Sequence, residues 1–485
     1  MPEPPAAGRA GPASAKRPDP PSGRCWHLPG LDSEAVAGEY EATTETGGRV
    51  RAPRLTTAQA IHVASEVRAA ALEARRERRL AEVLDAASRA AGRLADPGDP
   101  AGREAADVLG RELGWSAAAS GRTLRDMAEV WRRDALADLL ERELGDPAVL
   151  DAFRPDPDRP GRRRRALGAP LQFLVLSGNV PGVGVTALLR GLLARSGLLA
   201  RVSAREPGLP ALFARLLAQE DPLLGRTVAV TWWPADEAAP AWEAWSARAG
   251  TVVVYGGAEA VAGVRARVGA AADLLVYGPR TGIAVLLPDA PPGTAAALAR
   301  DVCAYEQRGC VSPRLVFVVG GDALDAGAAV AEALAAEAAR RPPPPLSSDE
   351  AVRIRAVRAE AEFAGLAQGA SPGRVFGPED LSWTVLAGGE PGIASTALPR
   401  TVWVHAVPDV AALLALLAPL ERRIQAIGTA GDRGLAELAE GAAALGTSRV
   451  APLGRLAWPP ADWRHEGKHQ ILPLLSWTDW EDAAG

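Results

Sequence analysis

Residues 171–197 read LQFLVLSGNVPGVGVTALLRGLLARSG, an apolar run of strand character, a glycine-rich turn and a run with helical spacing. The same order recurs twice: the strand-like TVAVTWW (227–233) is followed by the helical APAWEAWSARA (239–249), and TVVVYGG (251–257) by AEAVAGVRARVG (258–269). Two more strand-like runs, DLLVYG (273–278) and IAVLL (283–287), close the series. Near-continuous apolar strands that alternate with helices are typical of parallel sheets covered by helices on both faces. The sequence therefore predicts an α/β domain of the nucleotide-binding type.

Helical spacing of apolar residues dominates the chain before this region, at 57–95 and again at 122–144. Between the two regions, DPDRPGRRRRALGAP (156–170) combines Pro, Gly and charge, which indicates an exposed loop with its four arginines in a solvated turn. The first residues are rich in Pro, Ala and Gly. The predicted organisation is a disordered tail (1–30), a helical region (31–165), an α/β domain of the nucleotide-binding type (166–300), a second α/β domain (301–420) and a C-terminal segment (421–485).

Overall charge and cysteine content exclude several classes of function. The formal net charge of −5 gives no field suited to nucleic acid. Only three cysteines occur, without zinc-type spacing, so we expect neither a disulfide framework nor a metal site. No apolar run is long enough for a secretory signal or a membrane span, and a cytoplasmic location fits best.

The segment ARDVCAYEQRGCVSPR (299–314) places Cys310 where a nucleophile is useful. A helix leads into a tight turn in which Gly309 removes side-chain bulk before the cysteine, and Pro313 ends helical geometry after it. A lone cysteine is more often a small buried residue, and a free thiol needs local N–H donors or positive charge to become a good nucleophile. Arg308 and Arg314 are candidates for that charge, whereas Cys303 is assigned to packing.

Two glycine-containing turns follow predicted strands. In SGNVPGVGVT (177–186) no lysine follows the last glycine, so an ATP-binding phosphate loop is excluded. Asn179 in that turn could cap the next helix or serve a reaction. Gly256 and Gly257 lie between a strand and a helix, where backbone N–H groups can meet a phosphate.

Several motifs together resemble the LuxC-like fatty acyl-CoA reductases, a branch of the aldehyde dehydrogenase superfamily. Glu306, Gln307 and Cys310 match the family's EQxxC segment, and Asn179 with Pro181 is similar to its Asn-x-Pro core. A further stretch, ARVSAREP (200–207), is similar to the family's VKxSxRDP. Three others also resemble family segments: YGPRTGIAVL (277–286), LERRIQAIGTAG (420–431) and the ending ADWRHEGKHQILPLLSWTD (461–479), which has the family's W-x-H-D/E-G core.

The resemblance implies an aldehyde dehydrogenase-like α/β fold and the reduction of an acyl-CoA to an aldehyde by NADPH. Residues 166–300 would then be the NADP-binding domain and residues 301–420 the catalytic domain, and residues 421–485 would return to the cofactor domain and form an oligomer interface. It implies a catalytic set of Cys310 as nucleophile, Asn179 as oxyanion donor and Glu306. Cofactor contacts would come from Arg201, Ser203, Gly256 and Gly257, with Arg201 in the place of a lysine that contacts the adenine ribose or its 2′-phosphate. Arginine there favours NADPH, although an exposed arginine at a strand end is an equal alternative.

The chain also departs from the wider superfamily. Aldehyde-oxidising members carry a glutamate some thirty-odd residues before the nucleophile, whereas LLVYGPRTG (274–282) holds no carboxylate, which favours reduction over hydrolysis. His465 is interpreted as mainly structural, lining the acyl or cofactor channel. Three alternatives remain for the partner: free acyl-CoA, an acyl-protein synthetase or carrier protein that delivers the acyl group, or a non-catalytic acyl-binding scaffold. A homo-oligomer is expected in each case.

Overall fold

The computed structural model describes residues 25–31, 36, 38–44, 47–235, 237–364 and 373–481. The described chain begins with an antiparallel hairpin and five helices: β1 (Glu39–Thr43), β2 (Arg49–Pro53), α1 (Thr57–Glu77), α2 (Leu80–Ala95), α3 (Pro100–Leu113), α4 (Ala117–Ala128) and α5 (Arg133–Leu144). The predicted helical region thus also contains a hairpin. Most of the predicted tail, residues 1–24, lies outside the described residues.

The four consecutive arginines form a strand, not the solvated turn that their charge predicted. Strands β3 (Arg154–Pro155) and β4 (Arg162–Gly168) pair antiparallel, and the last strand of the chain, β17 (Leu475–Glu481), pairs with β4 on its other side. The arginine side chains are half-buried because tryptophans of β17 lie beneath them: Arg163 stacks over Trp480 and Arg164 over Trp477. Because these aromatic rings belong to a segment about 300 positions later in the chain, the sequence around the arginines does not indicate the contact.

A five-stranded parallel sheet forms the first α/β unit, as the strand–helix alternation predicted. Its elements are β5 (Leu171–Val175), α6 (Val183–Leu193), β6 (Gly197–Arg201), α7 (Gly208–Glu220), α8 (Pro222–Arg226), β7 (Val228–Thr231), α9 (Pro240–Ser246), β8 (Thr251–Tyr255), α10 (Ala258–Arg265) and β9 (Asp273–Tyr277). The strand order is β7-β6-β5-β8-β9. Strands β5, β7 and β8 are buried along their whole length, and the N-terminal helices share their hydrophobic core.

A seven-stranded sheet forms the second unit, in the order β12-β13-β14-β11-β10-β15-β16. Its elements are β10 (Thr281–Leu286), α11 (Thr294–Cys303), β11 (Pro313–Val319), α12 (Ala323–Arg340), α13 (Ser348–Ala364), β12 (Gly373–Phe376), β13 (Thr384–Gly388), β14 (Thr401–Val407), α14 (Val410–Leu417), β15 (Ile424–Ala430), α15 (Leu435–Ala444) and β16 (Val450–Pro452). All neighbours are parallel except β12 and β13. Separate apolar clusters cover its two faces.

Two boundaries differ from the predicted organisation. Strand β10 was grouped with the first sheet, but it pairs with β11 and β15 of the second. The segment after residue 420 first gives β15 and β16 to the second sheet, and its later residues Ile471 and Leu474 join the core of the first. An apolar strand fits either sheet equally well, so the residue pattern could not assign it.

The described residues contain neither a candidate membrane span nor a candidate metal cluster. None of the helices there is long and apolar enough to cross a membrane. Nor do His, Cys, Asp and Glu side chains gather there in groups of three or more suited to a metal ion.

Candidate active site

The strand order of the first sheet creates a crevice between β5 and β8. The connection from β5 leads outward through α6 to β6, whereas β8 continues to β9 on the opposite side. At such a switch point the loops after the two strands diverge, and ligands of open parallel sheets bind in the gap between them. One of these loops carries Asn179 and the other carries Gly256 and Gly257.

The turn that carries Cys310 has an unusual backbone. Helix α11 ends at Cys303, and Tyr305, Glu306 and Gln307 then adopt positive φ angles of 50°, 55° and 58°. Non-glycine residues rarely take this left-handed conformation, which costs about 1–3 kcal/mol per residue unless surrounding contacts hold it. As the sequence predicted, a helix leads into a turn at Cys310, and residues with strained backbone lie between the two.

Gln307 is one of the residues that hold this turn. Its side-chain amide donates to the carbonyls of Pro313 (2.7 Å) and Thr401 (2.8 Å), and its carbonyl oxygen accepts from the backbone N–H of Thr401 (2.6 Å). A buried amide with three hydrogen bonds is fully engaged in structure. Gln307 thus fastens the turn to the start of β14.

Glu306 holds the same turn through an ion pair. Its two carboxylate oxygens accept hydrogen bonds from Nε and Nη2 of Arg400, each at 2.8 Å, and both side chains are buried. Burial raises the pKa of Glu306, and the Arg400 guanidinium opposes this shift. The pair faces a small cavity of about 20 Å³ that Cys303 also lines. The predicted catalytic role of Glu306 does not fit this geometry, which makes Glu306 a support of the turn.

Cys310 lines a cleft of about 670 Å³. The walls are mainly apolar, and the polar and aromatic side chains among them include Thr186, Arg190, Tyr255, Tyr305 and His465. The apolar lining includes Met127, Val130, Leu136, Leu139, Val180, Val183, Trp458 and Trp463. A cleft of this size and character fits a small hydrophobic ligand, and the thiol lies in its wall.

The imidazole of His465 faces the thiol, with Nε2 3.8 Å from Sγ of Cys310. Burial raises the pKa of the Cys310 thiol to about 11, and the carboxylate of Glu466 adds to this shift. The backbone N–H of Cys310 and the guanidinium groups of Arg314 and Arg280 oppose the shift without cancelling it. Arg308, the other arginine considered from the sequence, instead pairs with Glu350 at 2.6 Å.

Asn179 lies in the loop that borders this cysteine turn. Its neighbour Val180 lines the cleft, and a methyl group added at Gly309 would lie 3.7 Å from Cγ2 of Val180. Asn179 itself is exposed, and Glu206, fully buried, supports the loop by accepting a hydrogen bond from the backbone N–H of Gly182. The structure therefore brings the Asn179 loop beside the Cys310 turn.

Two of the predicted cofactor residues lie at the start of α10. Gly257 precedes the helix and is exposed, and the space where a Cβ would project is open. At Gly256 a Cβ would come within 2.9 Å of Ala260, so a side chain there would crowd the helix start. Free backbone N–H groups at a helix N-terminus next to a crevice can receive a phosphate.

The other two lie at the end of β6. Arg201 is half-buried, donates to the carbonyl of Trp233 at 3.0 Å and lies 5.6 Å from the centre of the Trp233 ring. Burial lowers the pKa of Arg201, and the charge of Arg267 acts in the same direction. Ser203 is also half-buried, its hydroxyl accepts from the backbone N–H of Arg205, and it packs against Gly178 in the Asn179 loop.

Three features of the site were not predicted from the sequence. His465, interpreted as structural and lining a channel, lines the cleft, but its contact with the Cys310 thiol joins residues 155 positions apart and has no local signal. Tyr277, in a stretch noted for its family match and its lack of a carboxylate, stacks on the His465 ring. Helices α4 and α5 supply a cleft wall through residues such as Met127 and Leu139, which the sequence read only as part of a helical region.

Comparison with known proteins identifies similar sequences. A family model described as acyl-CoA reductase (LuxC) matches residues 76–477. The long-chain acyl-protein thioester reductase of Vibrio harveyi is 28% identical over 282 residues, and that of Aliivibrio fischeri 26% over 283 residues. Each match spans 57% of this chain and only 57% of the relative's length.

Solved structures show the same fold at low sequence identity. Aldehyde dehydrogenase C of Pseudomonas syringae, solved with NAD+ and octanal, has a TM-score of 0.69 and 16% identity over 97% of this chain and 99% of its own. Salicylaldehyde dehydrogenase of Pseudomonas putida has a TM-score of 0.70 and 14% identity over 95% of this chain and 98% of its own. The predicted aldehyde dehydrogenase-like α/β fold is therefore confirmed.

Proposed function

Since the chain belongs to the acyl-CoA reductase (LuxC) family, as the resemblance of its motifs predicted, we propose that it reduces a fatty acyl thioester to the aldehyde through a thioacyl intermediate on Cys310. The observation that carries this proposal is the position of Cys310. Cys310 lines a mainly apolar cleft of about 670 Å³, its sulfur lies 3.8 Å from Nε2 of His465, and its turn lies beside the loop that borders the crevice of the first sheet. An acyl chain in the cleft would present its thioester carbon to the thiol.

The residues around the crevice fit a nicotinamide dinucleotide. Because Gly257 has no side chain, the N-terminus of α10 is open and exposed and can receive a pyrophosphate. Arg201 places a cation at the end of β6, in the same sheet. When bound there, the cofactor would supply the hydride that reduces the thioacyl carbonyl. A guanidinium at Arg201 supports NADPH because it can pair with a 2′-phosphate, which NADH lacks.

The chain's own groups would stabilise charge and limit water. In the proposed reaction the backbone N–H of Cys310 and the side-chain amide of Asn179 hold the oxyanion that forms as the thiol attacks. The stretch LLVYGPRTG (274–282) holds no carboxylate, so the glutamate that activates water in aldehyde-oxidising members has no counterpart there. This favours reduction of the thioacyl group over its hydrolysis.

The acyl donor is the point on which the alternatives differ. The curated relatives are named for acyl-protein thioesters, which supports an acylated partner protein as a second donor beside acyl-CoA. Attack by Cys310 is the same in both cases, since only the leaving thiol changes. A non-catalytic scaffold is disfavoured because it has no need of a thiol in the wall of a ligand-sized cleft.

A ladder of acyl-CoA lengths tests the proposal. Each methylene that enters the cleft should contribute about 0.8 kcal/mol, so two more carbons should raise kcat/KM about tenfold until the cleft is full. We would follow NADPH absorbance and identify the acylated peptide by mass spectrometry. Acylation of a cysteine other than Cys310, or no acyl-enzyme with either acyl-CoA or an acylated carrier protein, would contradict the proposal.

Cofactor preference gives a second prediction. Replacing Arg201 with glutamine should lower kcat/KM for NADPH about tenfold, through loss of a charge-assisted contact, and leave kcat/KM for NADH nearly unchanged. The control is Arg226→Gln, which removes a surface arginine of α8 paired with Glu66 and Glu73. Equal losses with both cofactors in the Arg201 variant would mean that Arg201 only supports the fold near Trp233.

A further inference from the structure

His465 is held in a stack of aromatic rings. Its ring lies 4.7 Å from that of Tyr277 at an interplanar angle of 17°, and 4.9 Å from that of Trp463 at 26°. Tyr255 stacks on Tyr277 at 4.6 Å and 7°. A ring packed on both faces keeps its plane fixed, so its nitrogens project only at the edge of the stack. One of these edge atoms, Nε2, faces Sγ of Cys310.

Both members of this pair are neutral before reaction. Burial lowers the pKa of His465 to about 3, and the positive charges of Arg190, Lys468 and Arg280 add to this effect. Because the Cys310 pKa is raised to about 11, the proton stays on sulfur at neutral pH. The resting site is therefore a thiol beside a free imidazole, not a thiolate–imidazolium pair.

We propose that His465 is a catalytic residue that takes the Cys310 proton during attack on the thioester and passes it to the leaving thiolate. This inference rests on the proposed function for its substrate. In the first half, the Sγ–carbonyl carbon bond forms while the proton moves from Sγ to Nε2. In the second half, the bond between the carbonyl carbon and the leaving sulfur breaks, and Nε2 returns the proton to that sulfur. No oxidant or reductant is needed in this step.

The other groups around the pair do not serve this purpose as well. Glu306 is engaged with Arg400, and Glu466 is shared between Arg280 (3.7 Å) and Lys468 (3.1 Å). The titratable and charged groups that act on the pair from the surrounding elements are Arg190 of α6, Tyr255 of β8, Tyr277 of β9, Arg280, Arg314 of β11, Glu466 and Lys468. The neutral imidazole of His465 contacts the sulfur through Nε2 at 3.8 Å and can accept the thiol proton as the attack proceeds.

The test compares wild type with His465→Gln in two reactions of Cys310. The first is transfer of a radiolabelled acyl group from acyl-CoA to the enzyme, and the second is alkylation by iodoacetamide, which needs neither thioester nor cofactor. We expect His465→Gln to slow acyl transfer at pH 7 about 10²-fold, and to slow alkylation at least about tenfold. In the variant both rates should rise about tenfold per pH unit, because hydroxide must then remove the thiol proton.

The control is His469→Gln, a change four residues away at a half-exposed histidine that pairs with Glu143, and both rates should stay at the wild-type level. Acyl transfer could be absent in wild type and both variants while alkylation still depends on His465. In that case the proposed function is wrong, but His465 is still the base that activates the Cys310 thiol. If alkylation is the same in His465→Gln and wild type, His465 is not the base. The wild-type pH profile is a test that needs no variant: a tenfold rise per unit from pH 6 to 9 would also overturn the inference.

Discussion

Replacing Cys310 with alanine is expected to lower acyl-thioester-dependent NADPH oxidation by at least about 10³-fold. The thioacyl intermediate cannot form without the sulfur, and neighbouring donors such as Asn179 retain only binding and polarisation of the carbonyl. The variant should also take up no radiolabelled acyl group. Because the change removes one atom in the wall of a cleft, the fold and cofactor binding should persist, which thermal unfolding and NADPH titration would check.

The matched control for this variant is Cys303→Ala. Cys303 is buried on α11, seven residues before the nucleophile, and burial raises its pKa to about 12, so it stays a thiol. Its loss removes apolar packing and should cost about 1 kcal/mol of stability, with acyl transfer retained. Substantial NADPH oxidation by Cys310→Ala, or equal losses in the two variants, would show that the reaction does not use a thioacyl group on Cys310.

The first sheet and the turn of Cys310 could be predicted from the sequence, whereas the side chains around that turn could not. Strand–helix alternation placed the first sheet, and the glycines at 256 and 257 marked the start of α10, because both signals are local in the chain. The contact of Cys310 with His465 joins residues 155 positions apart, so it depends on how the C-terminal segment returns to the first sheet. No local pattern contains that information.

Glu306 shows a different reason why the site could not be predicted in full. It lies four residues before Cys310, and that spacing would place both side chains on one face if the helix continued. The helix ends at Cys303, however, and three residues with positive φ turn the Glu306 carboxylate toward Arg400. None of these residues is a glycine, so no residue type indicates the left-handed backbone. The motif was identified, and its geometry was not.

The ion pair of Glu306 and Arg400 leads to the second large effect. Glu306→Gln leaves the Arg400 guanidinium buried, 1% exposed, without its counter-ion. Removing one partner of a buried pair costs about 3–5 kcal/mol, because the remaining charge keeps its desolvation penalty. The expected result is a large shift of the urea unfolding midpoint to lower concentration. Arg400 itself has a positive φ of 44°, so the pair also joins two strained segments.

A surface pair of the same geometry provides the control. Arg132 and Asp134 form a two-point contact at 3.1 and 2.8 Å, but both side chains are more than half exposed. Arg132→Gln should therefore cost at most about 1 kcal/mol, since water screens exposed charges. If Glu306→Gln shifts the midpoint no more than Arg132→Gln does, the pair does not hold the turn.

The double variant Glu306→Gln/Arg400→Met distinguishes the effect of the unpaired buried charge from the effect of losing the hydrogen bonds that hold the turn. It removes the unpaired cation, so part of the lost stability should return. It does not restore the two hydrogen bonds that direct residues 305–307, and Cys310 lies three residues after them in the chain. We therefore expect the double variant to regain stability but to acylate Cys310 more slowly than wild type. Recovery of both would mean that Gln307 alone fixes the turn through its three hydrogen bonds to Pro313 and Thr401.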